Sequence, residues 1–309
     1  MSTPSNVLAD LQSRSEAMAP AEISPLRRLV WSVRRELWEN RSIYLAPLAV
    51  AALFLAGFLV ALVRLPHTVR AASALGPIQR QAAIEQPYVI AAIMLMAIAM
   101  LVAVFYCVDA LYGERRDRST LFWKSLPVSD WTTVLSKASI PILVLPLVTF
   151  AVTVVTQFVM LLASSAVLAA SGLSVRTLWS DVPFFEISGI HLSHIVGFHG
   201  IWWAPIYGWL LLVSAWAKRA PFLWATLPPV AIGAAERIAF GTSHFSSFLQ
   251  NHFLGGPITG GSDSGMSMDM LGEDPWGWFL LDPGLYVGLA VTAAFLLAAV
   301  WLRRWRGPI

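Results

Sequence analysis

Long runs of apolar residues without a single charge dominate this sequence, and they limit what it can fold into. The run at 43–63 holds 21 consecutive uncharged residues, and the run at 139–170 holds 32. A helix of about 20 apolar residues is long enough to cross the hydrocarbon core of a bilayer. Charged residues make up only 13% of the chain, whereas soluble domains carry about 25%. The sequence therefore predicts an all-α protein that spans a membrane.

About six membrane spans follow from the apolar runs. They are predicted at 43–63, 88–112, 139–170, 195–217, 221–240 and 284–302. The polar residues 1–23 are predicted to form a flexible tail, and 241–283 a long loop on the outer side of the membrane. Residues 24–309 then form one transmembrane domain.

An amphipathic helix is predicted at 24–40, just before the first span. Ser24 followed by Pro25 is typical of a helix start, because serine caps the first free amides and proline fits the first helical position. Apolar side chains then recur at helical spacing among several arginines. This pattern favours an elbow helix in the plane of the membrane surface. The same pattern also fits a soluble helix packed on a partner.

The distribution of lysine and arginine predicts the orientation, because these residues collect on the cytoplasmic side. With a cytoplasmic N-terminus, 16 of the 21 basic residues lie inside and 5 outside. Both termini are then cytoplasmic, and the number of spans is even. A net charge of +3 gives no indication of nucleic-acid binding.

The connection at 113–138, on the cytoplasmic side between the second and third spans, is the most informative stretch. Pro127 disfavours helix at the residue before it, and Ser129 is a good cap for a new helix. Residues 119–126 are therefore predicted to form a short separate helix that carries Phe122 and Trp123. Large apolar side chains on the aqueous side indicate a docking surface, although a basic loop lying on lipid headgroups is the alternative.

This connection resembles that of the ABC-2 family of ABC transporter permeases. Members commonly carry a Glu, a Gly-Thr-Leu, a Leu-x-x-Pro-Val-Ser-like segment and then a Lys that opens the next helix. The matching residues here are Glu114, Thr120, Leu121, Leu126, Pro127, Val128, Ser129 and Lys137. Ser119 stands where the family usually has Gly. The layout of elbow helix, six spans and long final outer loop resembles the family as well.

The resemblance implies a permease subunit that pairs with a second copy or a close paralogue and binds separate ATPase subunits, which hold the ATP and Mg. Residues 119–126 would be the coupling helix, seated against the ATPase. The residues implied in that coupling are Glu114, Arg118, Thr120, Leu121, Phe122, Trp123, Leu126 and Pro127. The expected location is the bacterial cytoplasmic membrane, and the expected direction of transport is export.

One feature of the sequence agrees with this expectation without relying on the resemblance. The chain has no G-x-x-x-x-G-K-[ST] phosphate loop, so it is not expected to hydrolyse ATP or to hold a cofactor itself. The competing hypotheses are a secondary transporter driven by an ion gradient and a membrane-embedded metalloenzyme. The substrate class stays open between lipid, peptide, drug and ion.

Other candidate residues lie within or beside the spans. Polar side chains are costly in lipid and often functional, which makes Gln157, Glu236 and Arg237 candidates for a substrate pathway. For Glu236 and Arg237, an ion pair at the outer interface is the favoured alternative. Gly284 and Gly288 form a G-x-x-x-G pattern that allows close helix packing, within one chain or between two. His191, His194 and His199 are weak candidates for a metal site, and histidines bonded to water and backbone are the favoured interpretation.

Overall fold

The structure, a computed structural model, describes residues 24–118, 128–254 and 280–305. The described residues are 89% helical and contain no strand. The predicted tail at 1–23, the segment 119–127 and a large part of the predicted outer loop lie outside the described residues.

The helices are numbered along the chain. They are α1 Pro25–Glu39, α2 Ser42–Ala72, α3 Pro77–Arg116, α4 Asp130–Ala170, α5 Val175–Asp181, α6 Phe184–His194, α7 Ala204–Trp216, α8 Pro221–Phe240, α9 His244–Leu254 and α10 Pro283–Trp305. A π-helical stretch, Ile195–Trp202, continues α6 and leads into α7.

Four of the described helices are long and apolar enough to cross a membrane, namely α2, α3, α4 and α10. A fifth span results if Val175–Trp202 and α7, which meet at a bend of 43°, are counted together. These four or five helices confirm an all-α protein of membrane character. The further span predicted at 221–240 corresponds to α8, which has 20 residues but is not among the helices that meet the length and apolarity criteria. That span stays a prediction.

The core of the bundle forms where α3, α7 and α10 pack together with α2 and α4. Its largest fully buried side chains include Trp203 and Tyr207. Small residues let α7 and α10 approach closely, because a Cβ on Gly208 would lie 3.4 Å from Phe295 and one on Gly288 would lie 3.1 Å from Pro205. Gly288 therefore packs against α7 of the same chain. Gly284 lies at the start of α10, where its amide donates to Asp282 at 2.7 Å.

Two π-helical segments contact each other inside the bundle. One is Ile140–Val144 in α4, which contains Pro141 and is followed by Pro146, and the other is Ile195–Trp202. A Cβ on Gly200 would lie 2.5 Å from the carbonyl oxygen of Ile142, so only glycine fits at this point. The wider π-helical turn thus accommodates the proline pair within a helix that continues to Ala170.

Candidate functional site

Glu114 and Lys137, the charged residues at the two ends of the ABC-2-like motif, contact each other in the fold. Glu114 lies in the last turn of α3, and Lys137 lies in the third turn of α4. Lys137 Nζ lies 3.1 Å from Glu114 Oε1, and both side chains are buried. The two helices are therefore joined by a charged contact close to the segment that connects them. We call this end of the bundle the charged end.

Glu36 of α1 is the most deeply buried member of the same cluster. Its side chain is 0% exposed, and each of its carboxylate oxygens accepts a hydrogen bond from Lys137 Nζ at 3.0 Å. The Tyr106 hydroxyl donates a further bond at 2.9 Å. Sequence reasoning missed this residue. A usable signal existed, because Glu36 follows Leu29 and Val33 at helical spacing and all three turn away from solvent.

The last helix joins the cluster through Arg303. Its Nη1 donates to Glu114 Oε2 at 2.6 Å, and its Nε donates to Asp130 Oδ1 at 3.0 Å. Arg35 completes the set with contacts to Glu36 at 2.8 Å and to Glu114 at 3.3 Å. The ion network, as we use the term, consists of Arg35, Glu36, Glu114, Asp130, Lys137 and Arg303. It ties together α1, α3, α4 and α10.

The ion network is electrically balanced, with three carboxylates and three cationic groups. Balance matters because an unpaired charge in a poorly solvated site is strongly unfavourable, and removing one partner of a buried pair costs about 3–5 kcal/mol. Burial works against the charge on Arg35, but the carboxylates of Glu36, Glu39 and Glu114 outweigh that effect and raise the pKa of its guanidinium. The network therefore favours one arrangement of the four helix ends.

A second set of contacts joins α3 to α7 at the same end. The Ser214 hydroxyl oxygen accepts from the backbone amides of Leu111 and Tyr112 at 2.9 and 2.8 Å. In the other direction, Arg115 Nη1 donates to the carbonyl oxygens of Ala215 and Ala217, at the end of α7. Glu114 and Arg115 thus anchor the end of α3 to different neighbours. The Ser214 oxygen also competes with the backbone carbonyls of α3 for the amides of Leu111 and Tyr112. Insertion of a side chain into the backbone hydrogen bonds of a helix is a recognised cause of helix bending.

The predicted coupling residues are only partly within the described structure. Glu114 lies in the ion network. Arg118 ends the described part of this region with an exposed side chain and a φ of 57°, a backbone conformation uncommon for residues other than glycine. Thr120, Leu121, Phe122, Trp123, Leu126 and Pro127 lie outside the described residues, so the predicted coupling helix itself stays a prediction.

The candidates for a substrate pathway lie apart from one another. Gln157 of α4 is buried and donates to the carbonyl oxygen of Tyr88 at 3.1 Å. Glu236 near the end of α8 accepts from Thr242 and from the first amides of α9, at 2.7 Å for His244 and 2.8 Å for Phe245. The geometry thus gives Glu236 a capping contact with the following helix. Arg237 is exposed.

The three histidines each contact an aromatic ring. His191 stacks on Phe150 with ring centroids 6.0 Å apart, and His199 stacks on Trp203 at 6.1 Å. His194 lies 6.4 Å from the ring of Phe198. Within the described ranges, no group of three or more His, Cys, Asp or Glu side chains is arranged to hold a metal ion.

Comparison of the chain with protein families, with curated proteins and with solved structures finds no match. The ion network is therefore interpreted from its own geometry. It joins four helix ends around the connection between α3 and α4.

Proposed function

We propose that this chain is the transmembrane permease subunit of an ABC-2-type transporter, which exports a substrate with energy from ATP hydrolysed by a separate subunit. The observation that supports the proposal most is the buried contact between Glu114 and Lys137 at 3.1 Å. These are the two charged residues that frame the ABC-2-like motif. A coupling segment has to be held firmly at both ends to transmit force, and this contact supplies such a hold.

The wider ion network supports a lever mechanism. Movement of the connection between α3 and α4 would act on Glu114 and Lys137, and through Glu36 and Arg303 on α1 and α10. Ser214 and Arg115 extend the link to α7. Because these contacts are buried, water competes with them little, and the helix ends move together rather than one by one. In a pair of such chains, that movement would open a path between the two copies.

The first test concerns the source of the energy. Because the sequence has no phosphate loop, the purified chain alone should not hydrolyse ATP. Activity should appear only when the chain is co-expressed with a nucleotide-binding subunit, and it should disappear when that subunit carries an inactivating substitution in its own phosphate loop. Robust hydrolysis by the pure chain, retained after contaminating ATPases are removed, would overturn the proposal.

The second test concerns the link between the ion network and hydrolysis. In the complex, Lys137→Gln should lower the permease-dependent part of the ATPase rate, because the ends of α3 and α4 lose their shared cation. Lys218→Gln is the matched control, since Lys218 is exposed just beyond α7. An equal effect of the two substitutions would contradict the lever mechanism. Chain yield and co-purification of the ATPase should be measured alongside, so that loss of folding is recognised.

The proposal also includes a topology, with both termini on the cytoplasmic side of the bacterial inner membrane. A cysteine at position 262 should react with a membrane-impermeant thiol reagent in intact cells, whereas a cysteine at position 5 should react only after lysis. Both variants need a Cys107→Ser background, although Cys107 is itself fully buried. Labelling in the opposite pattern would refute this orientation.

A further inference from the structure

Helix α1 has a second face that the ion network does not use. Glu36 and the half-buried Val33 and Leu37 turn towards the bundle. The side chains directed away from it are strongly exposed, and the apolar ones among them are Leu26, Val30, Trp31 and Trp38, between 57% and 70% exposed. Exposed arginines accompany these residues, namely Arg27 and Arg34 of α1 and Arg41, two residues beyond its end. We call this set the outer face of α1.

The sequence alone predicts one apolar side and one polar side for α1, which differs from the burial seen in the fold. The helical spacing places Leu26, Leu29, Val30, Val33 and Leu37 on one apolar stripe, but the fold divides that stripe between two environments. Leu29, Val33 and Leu37 are half-buried, whereas Leu26 and Val30 are exposed. Exposed tryptophans beside arginines are typical of a helix at the level of lipid headgroups, where Trp places its ring at the boundary and Arg reaches the polar layer. The guanidinium of Arg34 lies 5.2 Å from the ring centre of Trp38, so the two side chains form one mixed patch.

The charge of the outer face is positive. The carboxylates of α1, Glu36 and Glu39, both contact Arg35 on the other side of the helix, at 2.8 and 3.5 Å. Within the described part of the chain, Arg27, Arg34 and Arg41 form no ion pair with a carboxylate, and their side chains are exposed. Only two residues separate α1 from α2, the first membrane-spanning candidate. The outer face is therefore held close to the membrane surface by the chain itself.

From this arrangement we propose that the outer face of α1 binds the headgroups of anionic phospholipids. The arginines recognise the phosphate and the net negative charge, while Trp31 and Trp38 enter the layer beneath the headgroups. The inference rests on the membrane character of the fold and does not depend on the permease proposal. Each arginine near an anionic surface favours the charged lipid by about fivefold.

A quenching experiment on the full chain tests this directly. A bimane label is attached to Val30→Cys in a Cys107→Ser background, and the protein is reconstituted in phosphatidylcholine vesicles. These contain an equal mole fraction of either brominated phosphatidylglycerol or brominated phosphatidylcholine. We expect stronger quenching by the brominated phosphatidylglycerol. The double variant Arg27→Gln, Arg34→Gln should reduce the preference at least fivefold.

The double variant Arg64→Gln, Arg70→Gln is the matched control, because it removes two exposed arginines from α2, on the other side of its long apolar run. It should leave the preference unchanged. Equal quenching by the two lipids would overturn the inference, and so would a preference that survives in the Arg27, Arg34 variant. A label that neither lipid quenches would also overturn it, since the outer face would then be covered by protein. None of these outcomes depends on ATP hydrolysis. The lipid-binding proposal can therefore be refuted without refuting the permease proposal, and the reverse also holds.

Discussion

Replacing Glu36 by glutamine is the sharpest test of the ion network, because the change removes one charge and keeps the shape of the side chain. Lys137 loses its charge pairing with the Glu36 carboxylate, whose two oxygens both lie 3.0 Å from Nζ, and keeps its ion pair with Glu114 at 3.1 Å. The network changes from three acids and three bases to two acids and three bases. One buried positive charge is then left without compensation.

The expected magnitude follows from that imbalance. Removing one partner of a buried ion pair costs about 3–5 kcal/mol. We expect the lower end, about 3 kcal/mol, because Lys137 keeps Glu114 and the new amide oxygen can still accept a bond from the Tyr106 hydroxyl. Glu39→Gln is the matched control in the same helix. Glu39 is half exposed, and its one ion pair among the described residues is with Arg35, at 3.5 Å, so its replacement should cost at most about 1 kcal/mol.

The assay is reversible unfolding of the purified chain in mixed micelles, followed by tryptophan fluorescence, with the free energy of unfolding compared between variants. The double variant Glu36→Gln, Lys137→Met should recover more than half of the loss, because an ion pair removed as a whole leaves no orphan charge. The reasoning is refuted if Glu36→Gln lies within about 0.5 kcal/mol of Glu39→Gln, a difference typical of unrelated surface changes. Additive losses in the double variant would refute it equally.

Three further substitutions test other contacts. Gly288→Ala should lower the free energy of unfolding by about 1–3 kcal/mol through overpacking against α7, whereas Gly57→Ala, with no atom within 4 Å of its added Cβ, should be nearly neutral. Ser214→Ala should leave the fold intact and speed hydrogen exchange at the two α3 amides that its hydroxyl holds; unchanged exchange would count against that contact. Replacing Phe122 and Trp123 together by Ala should release the ATPase during purification while the chain stays inserted, and full co-purification would show that the coupling segment lies elsewhere.

Local signals in the sequence were sufficient to predict an all-α protein of membrane character and the positions of several helix ends. The uncharged runs predicted helices of membrane character, since their residues have no favourable alternative to lipid or a core. The hydroxyls of Ser24 and Ser129 cap α1 and α4 as expected, accepting backbone amides at 3.3 and 3.1 Å. Both features depend on a few neighbouring residues, and a sequence displays such neighbours directly.

The count of spans was harder to predict. The run at 221–240 is helical, as expected, but it contains Pro228, Pro229, Glu236 and Arg237, which reduce its apolar character. Whether such a helix crosses lipid depends on the neighbours that cover its polar groups, and Glu236 finds its partners in the following helix α9. Composition within one helix carries no information about those neighbours.

The ion network was decided by the tertiary structure alone. Glu36 and Lys137 are 101 positions apart in the chain, and Glu114 and Arg303 are 189 apart. From the sequence alone, a glutamate among arginines on an amphipathic helix is expected on the solvated face. A lysine beside a span is expected only to mark the cytoplasmic side. The packing of α1 and α10 against the ends of α3 and α4 removes these groups from water. The sequence determined that charged residues collect at this end of the membrane domain. The fold determined which of them pair, because a buried charge is stable only beside an opposite charge.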